Sequence, residues 1–124
     1  MSKPRNLDFT SRGEWDTLRE EWARFQKAVH KLAKEKGFYE EPRRPLESLM
    51  LIVSEVAEAA EELRVGSKPI YRVGPKYEGT AVELADTVIR IMDLAEYEGW
   101  GVVDAMVLKH EFNKTRPYKH GKKV

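Results

Sequence analysis

Three long stretches of the sequence repeat apolar residues every three or four positions, and this period constrains the fold more than any other feature. Such spacing places the apolar residues on one face of an α-helix. Each stretch is followed directly by a glycine, a residue that commonly ends helices, and the predicted helices cover about residues 13–36, 45–65 and 79–98. A shorter fourth helix is predicted over about residues 103–113, and no stretch alternates as a strand would. The sequence therefore predicts an all-α fold, a four-to-five-helix antiparallel bundle.

Length and composition predict one soluble domain. The 124 residues include 22 basic side chains, 21 acidic side chains and no cysteine, so neither a disulfide framework nor a strong overall attraction to nucleic acid or anionic membrane is expected. The longest aliphatic run, residues 49–53, is far shorter than the roughly 20 residues of a membrane span, and the N-terminus lacks the apolar core of a signal peptide. We expect a single cytoplasmic domain over residues 1–124, with a flexible lead-in at 1–10, a long loop at 66–78 and a basic tail at 114–124.

Helices 1 and 3 carry more apolar surface than a small bundle needs for its own core. Trp15, Trp22 and Phe25 share one face of helix 1, and the apolar residues of helix 3 cover roughly half of its circumference. We expect helix 3 to be the central helix. We also expect the surplus to be buried in a two-fold interface, which makes the protein a homodimer or a homotetramer.

Two pairs of acidic residues lie inside these apolar helices. Glu55 and Glu58 are three positions apart on helix 2, and Glu83 and Asp86 are three positions apart on helix 3. Residues three apart lie on one helix face, so each pair can direct two carboxylates at one point. Helices joined by a loop of moderate length are expected to pack side by side, which would bring the four carboxylates together. Four like charges at that distance repel one another strongly unless a cation lies among them.

The same acids also have ordinary structural explanations. Most charged helix faces are simply solvated. Thr80 and Glu83 fit a capping box, in which two side chains satisfy backbone N–H groups at a helix start, and Asp86 could interact only with the helix dipole. Against these explanations, helix 2 has few basic residues at helical spacing to neutralise its acids. Leu51 also lies among those acids, and a purely solvated face gives no reason for it.

The donor types narrow which ion such a site would hold. Carboxylate oxygens suit hard divalent cations. Di-iron carboxylate bundles use Glu-x-x-His on two helices, and no histidine of this chain has a glutamate three positions before it. The sequence therefore favours Mg²⁺ or Mn²⁺ over iron. His30 on helix 1 is expected to be a surface or interface residue rather than a ligand.

The segment 66–78 is the one long connection between the predicted helices. It contains two prolines, two glycines and the cations Lys68, Arg72 and Lys76. Long loops between packed helices are often functional, and these cations could close over an anionic ligand. The alternative is an ordinary surface loop.

Three stretches stand out when the chain is taken as a whole. They read SEVAEAAEE, GTAVELADTVIRIMDLAE and KHEFNKTRPYKHG, and they fall within residues 46–122. Together they resemble the MazG-like family of all-α nucleoside triphosphate pyrophosphohydrolases. The signature of that family is E-x-x-E, a variable spacer and E-x-x-D, and the matching residues here are Glu55, Glu58, Glu83 and Asp86. The context ELADxxIRxxD and the closing K-x-x-x-N-x-x-R-P-x-x-H-G make the resemblance specific.

The resemblance implies a reaction in which an NTP or dNTP and water give NMP and pyrophosphate, in the service of clearing unwanted nucleotides. It implies that Mg²⁺ is held by the four signature acids, with Glu55 and Glu58 also counted as catalytic. Phosphoryl chemistry depends on charge neutralisation and a placed water, which agrees with an acidic metal site. Glu61 or Glu62 could assist as a base, and we assign Glu62 because it lies nearer the Glu55–Glu58 face.

The closing motif supplies the implied substrate-binding residues Lys109, Asn113 and Arg116. Lys109 and Arg116 suit phosphate oxygens, and Asn113 could donate to phosphate or read a base. The alternative is a helix C-terminus with favourable cations and a disordered basic tail. One departure from the family is Ser54, where many relatives carry an acid, and this could alter the number of ions or a contact around the site. The helix 1 aromatics are interpreted as core or dimer contacts, with a wall for a nucleobase as the alternative.

Two other functions fit parts of the sequence. The first is a pyrophosphohydrolase of another diphosphate metabolite, such as phosphoribosyl-ATP, although the motifs resemble that branch less well. The second is a non-enzymatic dimeric helical module that binds nucleic acid through its basic tail. Binding of that kind would weaken steeply with salt and would need no divalent metal. The main hypothesis instead involves a nucleotide substrate, no stable nucleic-acid partner and no membrane.

Overall fold

The computed structural model of the chain describes residues 13–121, with side chains as far as Lys119. The lead-in predicted at 1–10 and the last residues of the predicted tail, 122–124, lie outside this range. Four α-helices, one two-stranded sheet and a 3₁₀-helix are found in the described part, and their limits are α1 Asp16–Glu35, α2 Pro45–Val65, β1 Tyr71–Val73, β2 Lys76–Glu78, α3 Thr80–Glu98, α4 Val102–Lys114 and the 3₁₀-helix Tyr118–Gly121. The structure is thus mostly helical, which is compatible with the predicted all-α class.

The helix limits follow local signals in the sequence. Pro45 occupies the first position of α2, where its missing N–H costs no hydrogen bond. Gly66 ends α2 in the left-handed conformation, and its backbone N–H bonds back to the carbonyl of Leu63. The limits predicted for α2 are confirmed, and those predicted for the other helices differ from the structure by a few residues at most.

The structure corrects the prediction of a strand-free loop over residues 66–78. In β1 and β2, Tyr71 lies opposite Glu78 and Val73 lies opposite Lys76, in antiparallel register. A two-residue turn joins them, with Gly74 at a φ of +62°, and a positive φ there matches the twist of a hairpin. Strands of three residues are too short for alternation to be visible, so only their aromatic and β-branched residues signalled them.

The chain forms two compact units. The terminal unit contains residues 13–25 and 101–121 of the described chain, the central unit contains residues 26–100, and α1 contributes its first half to one and its second half to the other. In the terminal unit, Val103 and Val107 of α4 are buried. Trp15 donates a hydrogen bond to Glu111 at 3.0 Å and Arg19 bonds Asp104 at 2.7 Å, so polar contacts tie the start of α1 to α4.

In the central unit, α2 and α3 pack against each other in antiparallel directions. Glu55 contacts Arg90, while Ser48, two turns earlier on α2, shares a small cavity with Leu94, one turn later on α3. The buried apolar residues of α3 are Met92, Leu94 and Ala95, all in its second half. The first half of α3 contributes no fully buried apolar residue, and it carries the acidic pair Glu83 and Asp86.

Helix α2 buries one of its acids, Glu55, and keeps most of its large apolar residues exposed. Ser48, Glu55 and Ala59 are its buried residues. The more apolar face is exposed, up to 72% for Leu63. This is the reverse of the usual arrangement for an amphipathic helix. The described residues include no helix with both the length and the apolar character needed to cross a membrane.

Candidate metal centre

Three acidic side chains converge between α2 and α3. Glu55, Glu58 and Glu83 each offer one carboxylate oxygen, and these three oxygens all lie within 4.8 Å of one another. Glu55 is buried, with 8% of its surface exposed, Glu83 is half-buried and Glu58 is exposed. The group, which we call the carboxylate cluster, is therefore open to solvent on the Glu58 side. The structure brings together three of the four predicted metal ligands.

Asp86 follows Glu83 by one helical turn and does not belong to the group of three. It is nevertheless within electrostatic range of it. Burial raises the pKa of Asp86, and the negative charge of Glu55 raises it further, while the cations Arg90 and Lys76 oppose the rise. Asp86 thus borders the carboxylate cluster.

The interpretation of Glu83 as a capping-box residue is wrong. The N-cap of α3 is Gly79, and no side chain caps this helix end. Thr80, which would have to be the N-cap of such a box, is the first helical residue. A local backbone role therefore does not account for the orientation of Glu83 toward α2.

The ionisation of the carboxylate cluster is uneven. Burial, followed by hydrogen bonds shared with Glu55 and Glu58, raises the pKa of Glu83 to about 7. Burial also acts to raise the pKa of Glu55, but hydrogen bonds from Arg90 and Glu83 outweigh it, so the net pKa lies below the ordinary value. The cluster therefore favours the protonated form of Glu83 more than an ordinary glutamate would, because three facing negative charges are unfavourable without a cation.

Arg90 is a partner that the sequence analysis missed. Its Nε atom donates a hydrogen bond to Oε1 of Glu55 at 2.8 Å. The acids of α2 looked poorly neutralised because only basic residues near them in the sequence were considered. Arg90 follows Asp86 by four positions and so shares its helix face, but spacing along α3 alone does not show that Arg90 pairs with Glu55 of α2.

A small cavity extends from Arg90 toward the N-terminus of α2, and its lining residues are Arg43, Ser48, Leu51, Arg90, Asp93 and Leu94. Leu51 lines this cavity, and this contact explains why an apolar residue lies among the acids of α2. The inward face of α2 is mixed because it covers α3 rather than solvent.

Glu62 lies outside the carboxylate cluster and contacts the hairpin. Both of its carboxylate oxygens lie 3.1 Å from the hydroxyl of Tyr71 in β1. The same hydroxyl lies 3.3 Å from Glu78 in β2. Glu62 therefore helps to hold the hairpin on α2, and its assignment as a catalytic base stays a prediction.

A second acidic centre lies on the same helix. Asp93 is buried, and it accepts a hydrogen bond from Tyr39 at 2.7 Å and faces Nδ1 of His30 at 2.8 Å and the guanidinium of Arg43 at 3.9 Å. Burial and the bond to Asp93 raise the pKa of Tyr39 above its ordinary value. We call these four residues the Asp93 network. His30 was predicted at the surface or an interface, but it is half-buried in this network.

The residues of the closing motif belong to the terminal unit. Lys109 and Arg116 lie over the ring of Phe112, at 5.0 Å and 5.7 Å from its centre. Oδ1 of Asn113 is buried and has no hydrogen-bond partner among the described residues. A buried acceptor without a donor is uncommon in folded proteins, so a ligand donor at this atom would complete its bonding. The substrate-binding assignment of these three residues stays a prediction.

The donor set fits a divalent cation. Octahedral Mg²⁺ binds oxygens at about 2.0–2.1 Å, which places two of its ligand atoms about 3–4 Å apart. The oxygens of Glu55, Glu58 and Glu83 lie within 4.8 Å of one another, so small side-chain movements would close them on an ion. The partial exposure of the cluster leaves coordination positions for water or for substrate oxygens.

Comparison of the chain with protein-family models, curated proteins and solved structures finds no match.

Proposed function

We propose that this protein is a MazG-like, Mg²⁺-dependent nucleoside triphosphate pyrophosphohydrolase that converts an NTP or dNTP and water into NMP and pyrophosphate. The observation that carries the proposal is the convergence of Glu55, Glu58 and Glu83 within 4.8 Å from two helices. The raised pKa of Glu83, about 7, supports it because burial and the facing acids Glu55 and Glu58 disfavour the charge of Glu83, and a bound cation would offset both. The resemblance of the motifs to the MazG-like family supports the reaction class.

Each residue has a defined part in this proposal. Glu55, Glu58 and Glu83 would hold the ion, with Asp86 adding negative charge beside them. When bound, Mg²⁺ supplies neutralisation of the triphosphate charge and a lower pKa for the attacking water. Arg90 keeps Glu55 in its ionised form, since the pair lies at 2.8 Å. From the closing motif, Lys109 and Arg116 are proposed to contact phosphate oxygens and Asn113 to contact phosphate or base.

The test is pyrophosphate release from the eight standard NTPs and dNTPs, with Mg²⁺ and with EDTA. Glu58→Gln and Asp86→Asn are expected to lower kcat/KM by about a hundredfold or more, because both remove charge at the proposed ion site. Glu61→Gln is the matched control, since Glu61 is an exposed acid on the same helix that pairs with Arg64. Its activity should stay within about twofold of wild type, as expected for a surface ion pair.

The outcomes separate the competing functions. Release that is insensitive to EDTA, or equal losses in Glu58→Gln and Glu61→Gln, would contradict the proposal. No release from any of the eight nucleotides, with Mg²⁺ bound in calorimetry, would transfer the proposal to another diphosphate substrate such as phosphoribosyl-ATP. No release and no Mg²⁺ binding would overturn the metal site altogether.

We also propose that the protein is a homodimer or a homotetramer. The exposed face of α2 presents residues at spacings of four, three, four and three, the pattern of a helix–helix seam, and they are Leu49, Val53, Val56, Ala60 and Leu63. Val53→Glu should shift the sedimentation coefficient to that of a monomer. Val65→Glu, at an exposed position off this seam, should not. Equal behaviour of the two variants would contradict an interface at this face.

A further inference from the structure

The hairpin between α2 and α3 sorts its side chains onto two faces. Residues opposite each other in antiparallel strands share a face, and the faces alternate along each strand. From the register, Tyr71, Glu78, Val73 and Lys76 lie on one face. Arg72 and Tyr77 lie on the other, where the guanidinium of Arg72 is 5.3 Å from the centre of the Tyr77 ring. The two cations of the hairpin are thus on opposite sides.

The face that carries Lys76 is the one that meets α2. On this face, the hydroxyl group of Tyr71 contacts both carboxylate oxygens of Glu62. Glu62 follows Glu58 on α2 by one helical turn. Lys76 therefore lies on the side of the hairpin toward the helix that supplies two members of the carboxylate cluster. Arg72 points away from that helix.

The base of the hairpin is fixed to the start of α3. The backbone N–H of Ala81 bonds the carbonyl of Pro69 at 3.0 Å. Gly79 has a φ of +118°, and a Cβ atom there would lie 2.3 Å from the same carbonyl oxygen. Only glycine fits this approach, so the position of the hairpin beside Glu83 is set by the backbone.

We propose that Lys76 is a phosphate-contacting residue of the site beside the carboxylate cluster, a role that depends on the function proposed above. The hairpin presents the ammonium group on its helix-facing side, next to the end of α3 that carries Glu83 and Asp86. A cation at this position would contact those phosphate oxygens of a bound substrate that are not bound to the metal ion.

The local charges agree with this position. Lys76 lies within electrostatic range of Asp86. The partner of Lys76 within the hairpin is Glu78, at 3.4 Å, and the Lys76 side chain is 75% exposed. Exposed pairs of this kind are weak, so the ammonium group can exchange Glu78 for a phosphate oxygen.

The test is isothermal titration calorimetry of the full chain with Mg²⁺ alone, and then of the Mg²⁺-loaded protein with inorganic pyrophosphate. Lys76→Gln should weaken pyrophosphate binding about tenfold, the usual effect of losing one charge-assisted hydrogen bond. The affinity for Mg²⁺ alone should stay the same or rise slightly, since a positive charge near the ion has been removed. Lys76→Arg should restore most of the pyrophosphate affinity. Arg72→Gln, the matched loss of charge on the other face, should change neither.

The different effects expected for Mg²⁺ and pyrophosphate distinguish a direct contact between Lys76 and phosphate from a structural role of Lys76. If Lys76→Gln weakens both Mg²⁺ and pyrophosphate, the residue only supports the fold and the proposal is overturned. Equal losses of pyrophosphate affinity in Lys76→Gln and Arg72→Gln would show only a general charge effect, and an unchanged affinity in Lys76→Gln would show no contact, so both overturn it. If the wild type binds Mg²⁺ but no pyrophosphate, this inference fails while the metal site stands. If the wild type binds no Mg²⁺, the proposed function fails first.

Discussion

Helix α3 carries two acidic centres, Glu83 and Asp93, about three helical turns apart, and they are built in opposite ways. Asp93 is surrounded by donors, with Tyr39, His30 and Arg43 around its carboxylate. Glu83 is surrounded by other acids, with Glu55 and Glu58 across the helix interface. Both centres are at least partly buried, so burial alone does not separate them. The difference lies in the partners.

This contrast shows that the two centres differ in how their negative charge is compensated. A buried carboxylate with several donors is satisfied and anchors the elements that supply those donors. A carboxylate that faces other carboxylates is unfavourable in the empty protein, and such an arrangement persists when something other than stability requires it. The Asp93 network therefore holds the second half of α1 and the following connection to α3, whereas the carboxylate cluster is the site at which metal binding is proposed above.

The largest expected effect comes from making the same substitution at both centres. Asp93→Asn should lower the free energy of unfolding by about 3 kcal/mol, because a neutral amide leaves buried donors without their charged acceptor. Asp86→Asn, the identical change two turns earlier, should leave the metal-free stability unchanged or raise it, since burial and Glu55 already disfavour the charge of Asp86. Urea unfolding in EDTA measures both. Destabilisation of equal size in the two variants would remove the distinction between the centres.

Two tyrosines give a smaller, matched test. Tyr39→Phe removes a donor to the buried Asp93 and should cost about 1–1.5 kcal/mol. Tyr71→Phe removes the hydroxyl that lies near Glu62 and Glu78 on the more exposed hairpin, and it should cost less than Tyr39→Phe. Thermal unfolding of the two variants in the same buffer ranks them. The reverse order would indicate that the hairpin, rather than the Asp93 network, holds the central unit together.

The pH dependence of stability should report the carboxylate cluster. The pKa of Glu83 is about 7 in the folded chain against 4.5 for the ordinary side chain, so its contribution is fully present below pH 4.5 and is lost as pH rises through 7. Unfolding of the metal-free protein should therefore require on the order of 1 kcal/mol less at pH 8 than at pH 5, a figure reduced for the partial exposure of Glu83.

Two controls test whether Glu83 causes this fall in stability with rising pH, and they are the Glu83→Gln variant and saturating Mg²⁺. The substitution removes the group that gains a proton, and the ion replaces that proton, so each should flatten the fall in stability between pH 5 and pH 8. A slope that persists unchanged in Glu83→Gln would assign the pH dependence to other residues.

The smallest expected effect concerns Arg90. Its guanidinium lies 2.8 Å from Glu55 and competes with a metal ion for that carboxylate. Arg90→Gln should tighten Mg²⁺ binding by about twofold to fivefold at pH 8, as expected when a nearby like charge is removed. Calorimetry measures this change, and Arg90→Lys, which keeps the charge, is its control. Weaker Mg²⁺ binding in Arg90→Gln would show instead that the arginine is needed to orient Glu55.

Much of the local structure could be predicted because it depends on short-range chemistry. The period of apolar residues, Pro45 and Gly66 located α2, and the spacing within each acidic pair showed which carboxylates share a helix face. The hairpin was missed because its strands are three residues long. Arg90 was missed because its partner, Glu55, lies 35 positions away in the sequence.

The sequence by itself determined the helices, their approximate limits and the candidate acids, since helix periodicity and end signals act over a few residues. The tertiary structure decided which face of α2 lies inward, which acids converge and which acquire donors. It separated Asp93 from Glu83 and Lys76 from Arg72, pairs that look alike along the chain. The reason is that the electrostatic state of a side chain depends on its neighbours in space, and those neighbours come from different helices and strands.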